Sequence, residues 1–480
     1  MGQHGKSEGF PATLPKLHLR TLIYALCGSW MKVSQHTLWS LKVFRSFFPN
    51  PRLFFTAAIA WTALCIAVWF AFGPALENTI SLGHVIGQVP TETNPDVFLT
   101  PDKVWLYQYV LMSGYLFCIP WYWLGDNRRW YWWSVVGSIT IVEVVFFDVQ
   151  ASAWMNAWYG EFYNMFQGAL QNPGSVSLET IYGELSTVLY VLLPRIAILV
   201  MNAFFIAHYL FRWRRAMTFF YMSHWPRLRG VEGASQRIQE DTQRFANIVE
   251  GLAVSLVGSI MTLLVFLPLL WELSQNITEL PIIGPVNGSL VWVALISAMA
   301  GTVLLGLVGF KLPGLEFQNQ RVEAAFRKEL VYGEDDPERA RPLDTKEFFL
   351  GVQRNYFRLY GHYLYFNVAR YVYLQGANFV PLIAMSPSIA AGALTFGLFQ
   401  QVSNAFDQVD SSFRFLANSW TTIISLISVY KRLRTFESNI PQGAISGVDY
   451  DDPRYLATDA EFRALITDLD GGKEGVPPGL

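Results

Sequence analysis

Residues 249–271 read VEGLAVSLVGSIMTLLVFLPLLW. From Gly251 to Trp271 this stretch holds no Asp, Glu, Lys or Arg. At 1.5 Å of rise per residue such a run is long enough to cross about 30 Å of hydrocarbon as a helix. Working outward, Leu53 to Leu76, Val104 to Gly125 and Leu280 to Phe310 are also free of these charges. Two further runs are apolar but carry ionisable groups: Trp130 to Tyr159 contains Glu143 and Asp148, and Ser186 to Phe211 contains Arg195. Each such charge costs about 2.5 to 3.5 kcal/mol at mid-bilayer on insertion scales, so these groups face a bundle interior or a water-filled cavity. The uncharged stretch from Tyr371 to Phe406 is too long for one crossing. Pro381, Pro387 and Gly392 mark a turn, with one span ending near Ala384 and another running from about Leu394 to Tyr430.

Composition leads to the same class. The chain has 480 residues, 52% hydrophobic and 15% charged, with a formal net charge of -2. A soluble domain carries about 25% charge, so this chain lacks the polar surface to dissolve. Its pI of 6.4 gives no basic face for nucleic acid. Three cysteines, Cys27, Cys65 and Cys118, make no disulfide framework. The expected fold is therefore an all-α polytopic membrane protein with about eight transmembrane helices.

Lysine and arginine set the orientation. Lys42, Arg45, Arg52, Arg128, Arg129, Arg212, Arg214, Arg215, Arg227, Arg229, Lys311, Arg321, Arg327, Lys328, Lys431, Arg432 and Arg434 all fall on one side of an eight-span chain. The other side holds Glu77, Glu92, Asp96, Asp102, Glu161, Glu179, Glu184, Glu272 and Glu279 against Lys103. Both termini are expected in the cytoplasm. The chain divides into a cytoplasmic amino-terminal arm (1–52), two peripheral transmembrane helices (53–125), a six-helix core with long cytoplasmic helical extensions (126–436) and an acidic tail (437–480).

Motifs of soluble enzymes are missing: no C-x-x-C, H-E-x-x-H, G-x-S-x-G or dinucleotide fingerprint occurs in these residues. Neither catalysis, a metal nor a cofactor is expected. The informative residues are carboxylates. Glu232 and Glu250 lie five whole turns apart, so an unbroken helix puts them on one face, with Glu240 about 80° away. Glu316, Glu323 and Glu334 return to one face at spacings of 7 and 11 residues, forming a stripe, although Gly333 is a possible break before the last. Glu329 lies off it. Solvated salt bridges with Arg237, Arg244, Arg321, Arg327 and Lys328 are the plain reading of most of these glutamates. Glu250 differs, because it stands where the charge-free helix begins; desolvation there favours a neutral acid, making it a candidate proton carrier. Glu143, Asp148, Arg195, Asp407, Asp410 and Arg414 are the intramembrane charges, read as mutually neutralising or cavity-lining, and the last three share one helix face at i, i+3 and i+7.

Five blocks carry a further resemblance: SFFPNPRLFF from Ser46, NAWYGEFYNMFQGAL from Asn156, EGASQRIQEDTQRFA from Glu232, KLPGLEFQNQRVEAAFRKELVYGEDD from Lys311 and NSWTTIISLISVYKRLR from Asn418. In these the chain resembles the SbmA/BacA peptide-antibiotic transporters of bacterial inner membranes, over roughly residues 43 to 436. The resemblance implies a homodimer whose six core helices look like the membrane part of an ABC exporter without its ATPase. It also implies proton-driven import of peptides: bleomycin-like, microcin-like and proline-rich antimicrobial classes. The family's proton-coupling glutamates match Glu250, Glu323 and Glu334, and less directly Glu240 and Glu316. Peptides, the lipid bilayer and a second copy are then the expected partners, with no nucleic acid and no ATPase subunit. The alternatives are a membrane subunit that works with a separate ATPase, or an envelope or lipid-assembly protein.

Overall fold

The structure, a computed structural model, describes residues 42–440 apart from 90–97, 126–127, 232, 278, 282 and 337. Among the described residues the long elements are all helices: α1 (Pro51–Ile80), α2 (Pro101–Leu124), α3 (Trp132–Gln171), α4 (Leu178–Met222), α5 (Ala234–Asn276), α6 (Ser289–Gly309), α7 (Leu312–Asp335), α8 (Pro342–Ala390), α9 (Phe396–Phe413) and α10 (Trp420–Glu437). Five of them, α1 and α3 to α6, are long and apolar enough to cross a membrane. The chain is thus a polytopic helical membrane protein.

Helix starts obey local chemistry. Asn50 takes a left-handed conformation at φ 40° and hands over to Pro51, whose fixed φ suits the first helical turn. Ser177 caps α4 by accepting from the Thr180 amide at 3.1 Å. At α9, Thr395 accepts from Leu398 N at 3.2 Å, while Gln167 and Asn164 of α3 accept from Phe396 N and Gly397 N at 2.8 and 3.0 Å. Three orphan amides are thereby satisfied, two of them from the neighbouring helix. Gly397 sits against the Gly160 carbonyl, an approach that no larger residue permits.

Helices α3, α5 and α9 pack on one another at the centre, with α6 against α9 and α8, and α7 against α8. One apolar core lies among α3, α5, α6 and α9, around Phe266, Leu270, Leu290, Val402 and Phe406. A second, aromatic core lies where the basic residues gather, at the basic end of the bundle. There Phe47 is fully buried, stacked on Trp213 at 5.9 Å and edge-on to Tyr209 at 5.4 Å, while Phe44 meets Phe245 edge-on at 5.3 Å. This knot ties the segment before α1 to α4 and α5. On the outer faces of α1 and α4, Ile59, Phe70, Tyr190, Met201 and Phe204 stand exposed, as lipid-facing positions do.

Several boundaries depart from the sequence expectation. Pro381 and Pro387 do not turn the chain: α8 runs through both to Ala390, and the reversal comes at Gly392, which has φ 69°. Proline is tolerated in such helices because neighbouring groups take up the freed carbonyls. The segment expected to cross from Leu394 to Tyr430 is broken after Phe413, where Arg414 folds back onto Asp410 and leaves helical backbone. The run from Leu280 is shorter as a helix than expected: Leu280 and Gly284 close a turn, and α6 begins only at Ser289. Gly333 does not break α7, which continues to Asp335.

Candidate functional site

The charged groups of the bundle separate into paired and unpaired sets. Within the apolar span of α3, Asp148 accepts from Arg195 Nε of α4 at 2.7 Å, and the same guanidinium donates to Ser152 at 2.8 Å. In α9, Asp410 is 1% exposed and pairs with Arg414, whose guanidinium lies 5.4 Å from the Tyr373 ring. Neutralisation inside the bundle accounts for both pairs. Asp407 is exposed on α9 and lies within electrostatic reach of Arg414, whose ion pair is with Asp410. Glu143 is buried where α3 meets Gly114 of α2, and its Oε1 has no hydrogen-bond partner among the described residues.

At the basic end the helix of Glu250 is not a plain α-helix. Residues Arg237–Asp241 form a π-turn, whose one extra residue rotates the helix on its amino-terminal side by about 100° relative to the carboxy-terminal side. Helix α5 starts at Ala234, and Glu232 lies outside the described residues. The unbroken helix needed to align Glu232 with Glu250 is therefore absent. Asp241, which no sequence pattern marks, anchors the π-turn. It is 1% exposed and accepts from Arg432 at 2.7 and 3.0 Å and from Arg237 at 2.8 Å. Nearby, the buried Tyr221 hydroxyl donates to Glu437 at 3.0 Å. A separation of 191 residues between Asp241 and Arg432 left no sequence signal for this pairing. The π-turn also frees a carbonyl, and Arg214 Nη2 donates to Gln239 O at 3.2 Å.

The proton-carrier candidates have other surroundings. Glu250 is half-buried on α5, within electrostatic reach of the buried Tyr209 hydroxyl, which itself is bonded to Ser138 at 2.9 Å. Glu316 and Glu323 are half-buried and Glu334 exposed, all on the single helix α7, with Glu316 near Tyr363 of α8. Among the described residues none of these four makes an ion pair. Glu240, exposed, accepts from Gln236 at 3.1 Å rather than from an arginine. By contrast Glu329, off the stripe, pairs with Arg339 at 3.3 Å and accepts from Ala340 N. Of the salt-bridge partners that the sequence offered, Arg237 is taken up by Asp241.

Long apolar helices, intramembrane ion pairs and a polar basic end together define a helical membrane protein with ionisable groups kept inside its bundle. The chain belongs to the SbmA/BacA-like family, which it matches over residues 127–441, well over half of its length. It is also 23% identical to the inner membrane ABC transporter ATP-binding protein YddA of Escherichia coli, over 68% of this chain and 60% of that protein. To an uncharacterised ABC transporter ATP-binding protein of Synechocystis it is 26% identical, over 48% of this chain and 34% of the relative. An ABC transporter D family member 2 of Arabidopsis thaliana chloroplasts is 22% identical over 55% of this chain and 38% of its own length. The chain therefore spans under two thirds of each of these relatives. All three carry transporter names, and the family match begins just before α3, so α3 to α10 are its shared part.

Proposed function

We propose that this chain is a proton-gradient-driven importer of peptides, including bleomycin-like, microcin-like and proline-rich antimicrobial peptides, across a bacterial inner membrane. It works as a homodimer with eight spans per copy and both termini in the cytoplasm. The observation that carries this reading is the contrast between two sets of carboxylates. Asp148, Asp241, Asp410 and Glu329 are each held by an arginine, whereas Glu250, Glu316, Glu323 and Glu334 make no ion pair among the described residues. A carboxylate fixed by a cation keeps its charge through a conformational cycle. One without a cation, at a boundary between apolar helix and water, can gain and lose a proton as its exposure changes.

The dimer reading draws on α8. This helix packs on α6 and α7 and only sparsely on the rest of the bundle, leaving Phe357, Leu364, Tyr371, Val372 and Phe379 exposed. An apolar helix held away from its own bundle suits coverage by a second copy, with lipid along the remainder. In this reading α2, α8 and the pair α9 and α10 are the three spans beyond the five helices that are long and apolar enough on their own.

Purified protein in liposomes, with no nucleotide, tests the proposal. A labelled peptide should accumulate inside when the outer medium is acidic, and accumulation should stop on adding a protonophore. Uptake that needs ATP and ignores the protonophore would contradict it and favour a separate ATPase. Lipid transfer without peptide uptake would favour an envelope role.

A further inference from the structure

Helix α2 lies along α3 in a seam that runs antiparallel through the apolar part of both. Lys103 Nζ donates to Gln150 at 3.3 Å, the Tyr107 ring meets Phe147 at 6.2 Å, and further along Gly114 faces Glu143 and Tyr115 meets Thr140. Glu143 is 8% exposed, and its carboxyl group fills the notch that Gly114 leaves open, where a methyl group would collide with Oε1. A titratable group is thus enclosed between two helices, away from Glu250 and from every arginine pair of the bundle.

No donor serves this carboxyl group. Its Oε1 has no hydrogen-bond partner among the described residues. Gly114 lies inside α2, where its N–H is spent on the helix's own carbonyls. The Cys118 thiol, one turn further, donates to Gly114 O at 3.5 Å. Lys103 is bonded to Gln150, seven residues or about 10 Å along α3 from Glu143, and Arg195 of α4 is held by Asp148. The titratable groups that face Glu143 are Tyr115 and Cys118, both of α2.

The hydrogen bonds beside it run in one direction. Thr140 Oγ1 donates to the Val136 carbonyl at 3.0 Å, and a carbonyl can only accept. With the Thr140 hydrogen spent, the 3.3 Å contact between Thr140 and Tyr115 is donated by Tyr115. The Tyr115 oxygen is then left as an acceptor, next to Glu143. A carboxylate needs donors and would meet none here, whereas a neutral acid donates one hydrogen bond and finds that acceptor. At a buried site without a cation, the neutral form is also the one that escapes the cost of charge.

We infer that Glu143 is a proton-binding site separate from Glu250. It stands as the neutral acid while α2 covers it, donating to the Tyr115 hydroxyl. When α2 moves off α3 the proton passes to water and a carboxylate remains. The inference goes beyond the import reading and does not depend on what the protein carries.

Infrared absorption of the full-length protein tests it, in a detergent free of ester carbonyls so that the carbonyl band of protonated carboxylic acids is clear of other signals. At neutral pH, subtracting the Glu143→Gln spectrum from that of the unaltered protein should leave one protonated-acid band, moving to lower frequency in D2O. Glutamine keeps the shape and an N–H for Tyr115, so this variant should elute like the unaltered protein. Tyr115→Phe should shift the band to higher frequency without removing it, because the acid loses its acceptor. Gly114→Ala should abolish the band, because the methyl group takes the place of the carboxyl group. Glu329→Gln, whose carboxylate is held by Arg339, should leave it unchanged. A spectrum in which Glu143→Gln removes no protonated-acid band would overturn the site. So would a band that stays unshifted in Tyr115→Phe, a result that decides even if Gly114→Ala yields no folded protein.

Discussion

Replacing Asp241 with asparagine is the sharpest probe of how the basic end is held. The carboxylate accepts three hydrogen bonds from two arginines, at 2.7, 2.8 and 3.0 Å, and is itself 1% exposed. Removing one partner of a buried charge set costs about 3 to 5 kcal/mol, chiefly because the opposite charges are left uncompensated. Arg237 and Arg432 are about a quarter exposed, so water takes over part of their solvation and the lower figure applies, about 3 kcal/mol. Asparagine keeps one acceptor, which holds the loss near that value. The assay is the temperature at which protein in detergent ceases to elute as a single species, and Asp241→Asn should lower it by several degrees. Arg432→Gln should cost less. The double variant should cost clearly less than the sum of the two, because the second change removes a charge that the first left stranded. A melting temperature for Asp241→Asn within a degree of the unaltered protein, or strict additivity, would refute the account of this network.

Packing and charge pattern lead to three more expected outcomes. Phe47→Ala removes a fully buried ring from the knot formed with Trp213 and Tyr209, and should destabilise by about 3 to 5 kcal/mol in the same thermal assay. Gly397→Ala drives a methyl group into the Gly160 carbonyl across the junction of α3 and α9, and membrane-inserted yield should fall sharply, whereas Gly376→Ala, with open space around it, should be tolerated. With the three native cysteines replaced, a cysteine at Ser175 should react with an impermeant label in cells whose outer membrane is permeabilised and whose inner membrane is intact; labelling only after lysis would reverse the orientation.

How far the sequence reaches depends on how local the deciding physics is. The charge-free runs at Leu53, Gly251 and Val104 placed their helices because mid-bilayer charge is costly whatever the neighbours are. Pro381 and Pro387 misled, since the cost of proline in a helix depends on which groups satisfy the freed carbonyls, and that is a tertiary property. The stripe Glu316, Glu323 and Glu334 was legible because α7 is one uninterrupted helix. The π-turn at Arg237–Asp241 was not, because it leaves no periodicity mark in five residues. Asp241 with Arg432, and Phe47 with Trp213, join segments distant in the chain, where neither spacing nor composition records the contact.

The central claim is that peptide movement is tied to proton movement through carboxylates without cationic partners, Glu250 foremost. Proteoliposomes carrying a pH-sensitive dye inside test it most directly, with peptide added outside at low external pH. The unaltered protein should acidify the lumen only when peptide is present. Glu250→Gln, which fixes the neutral state, should show no peptide-dependent acidification while still binding peptide. Glu329→Gln, whose carboxylate is already held by Arg339, should behave like the unaltered protein. Peptide-dependent acidification that persists undiminished in Glu250→Gln, or peptide entry with no acidification in the unaltered protein, would contradict the account.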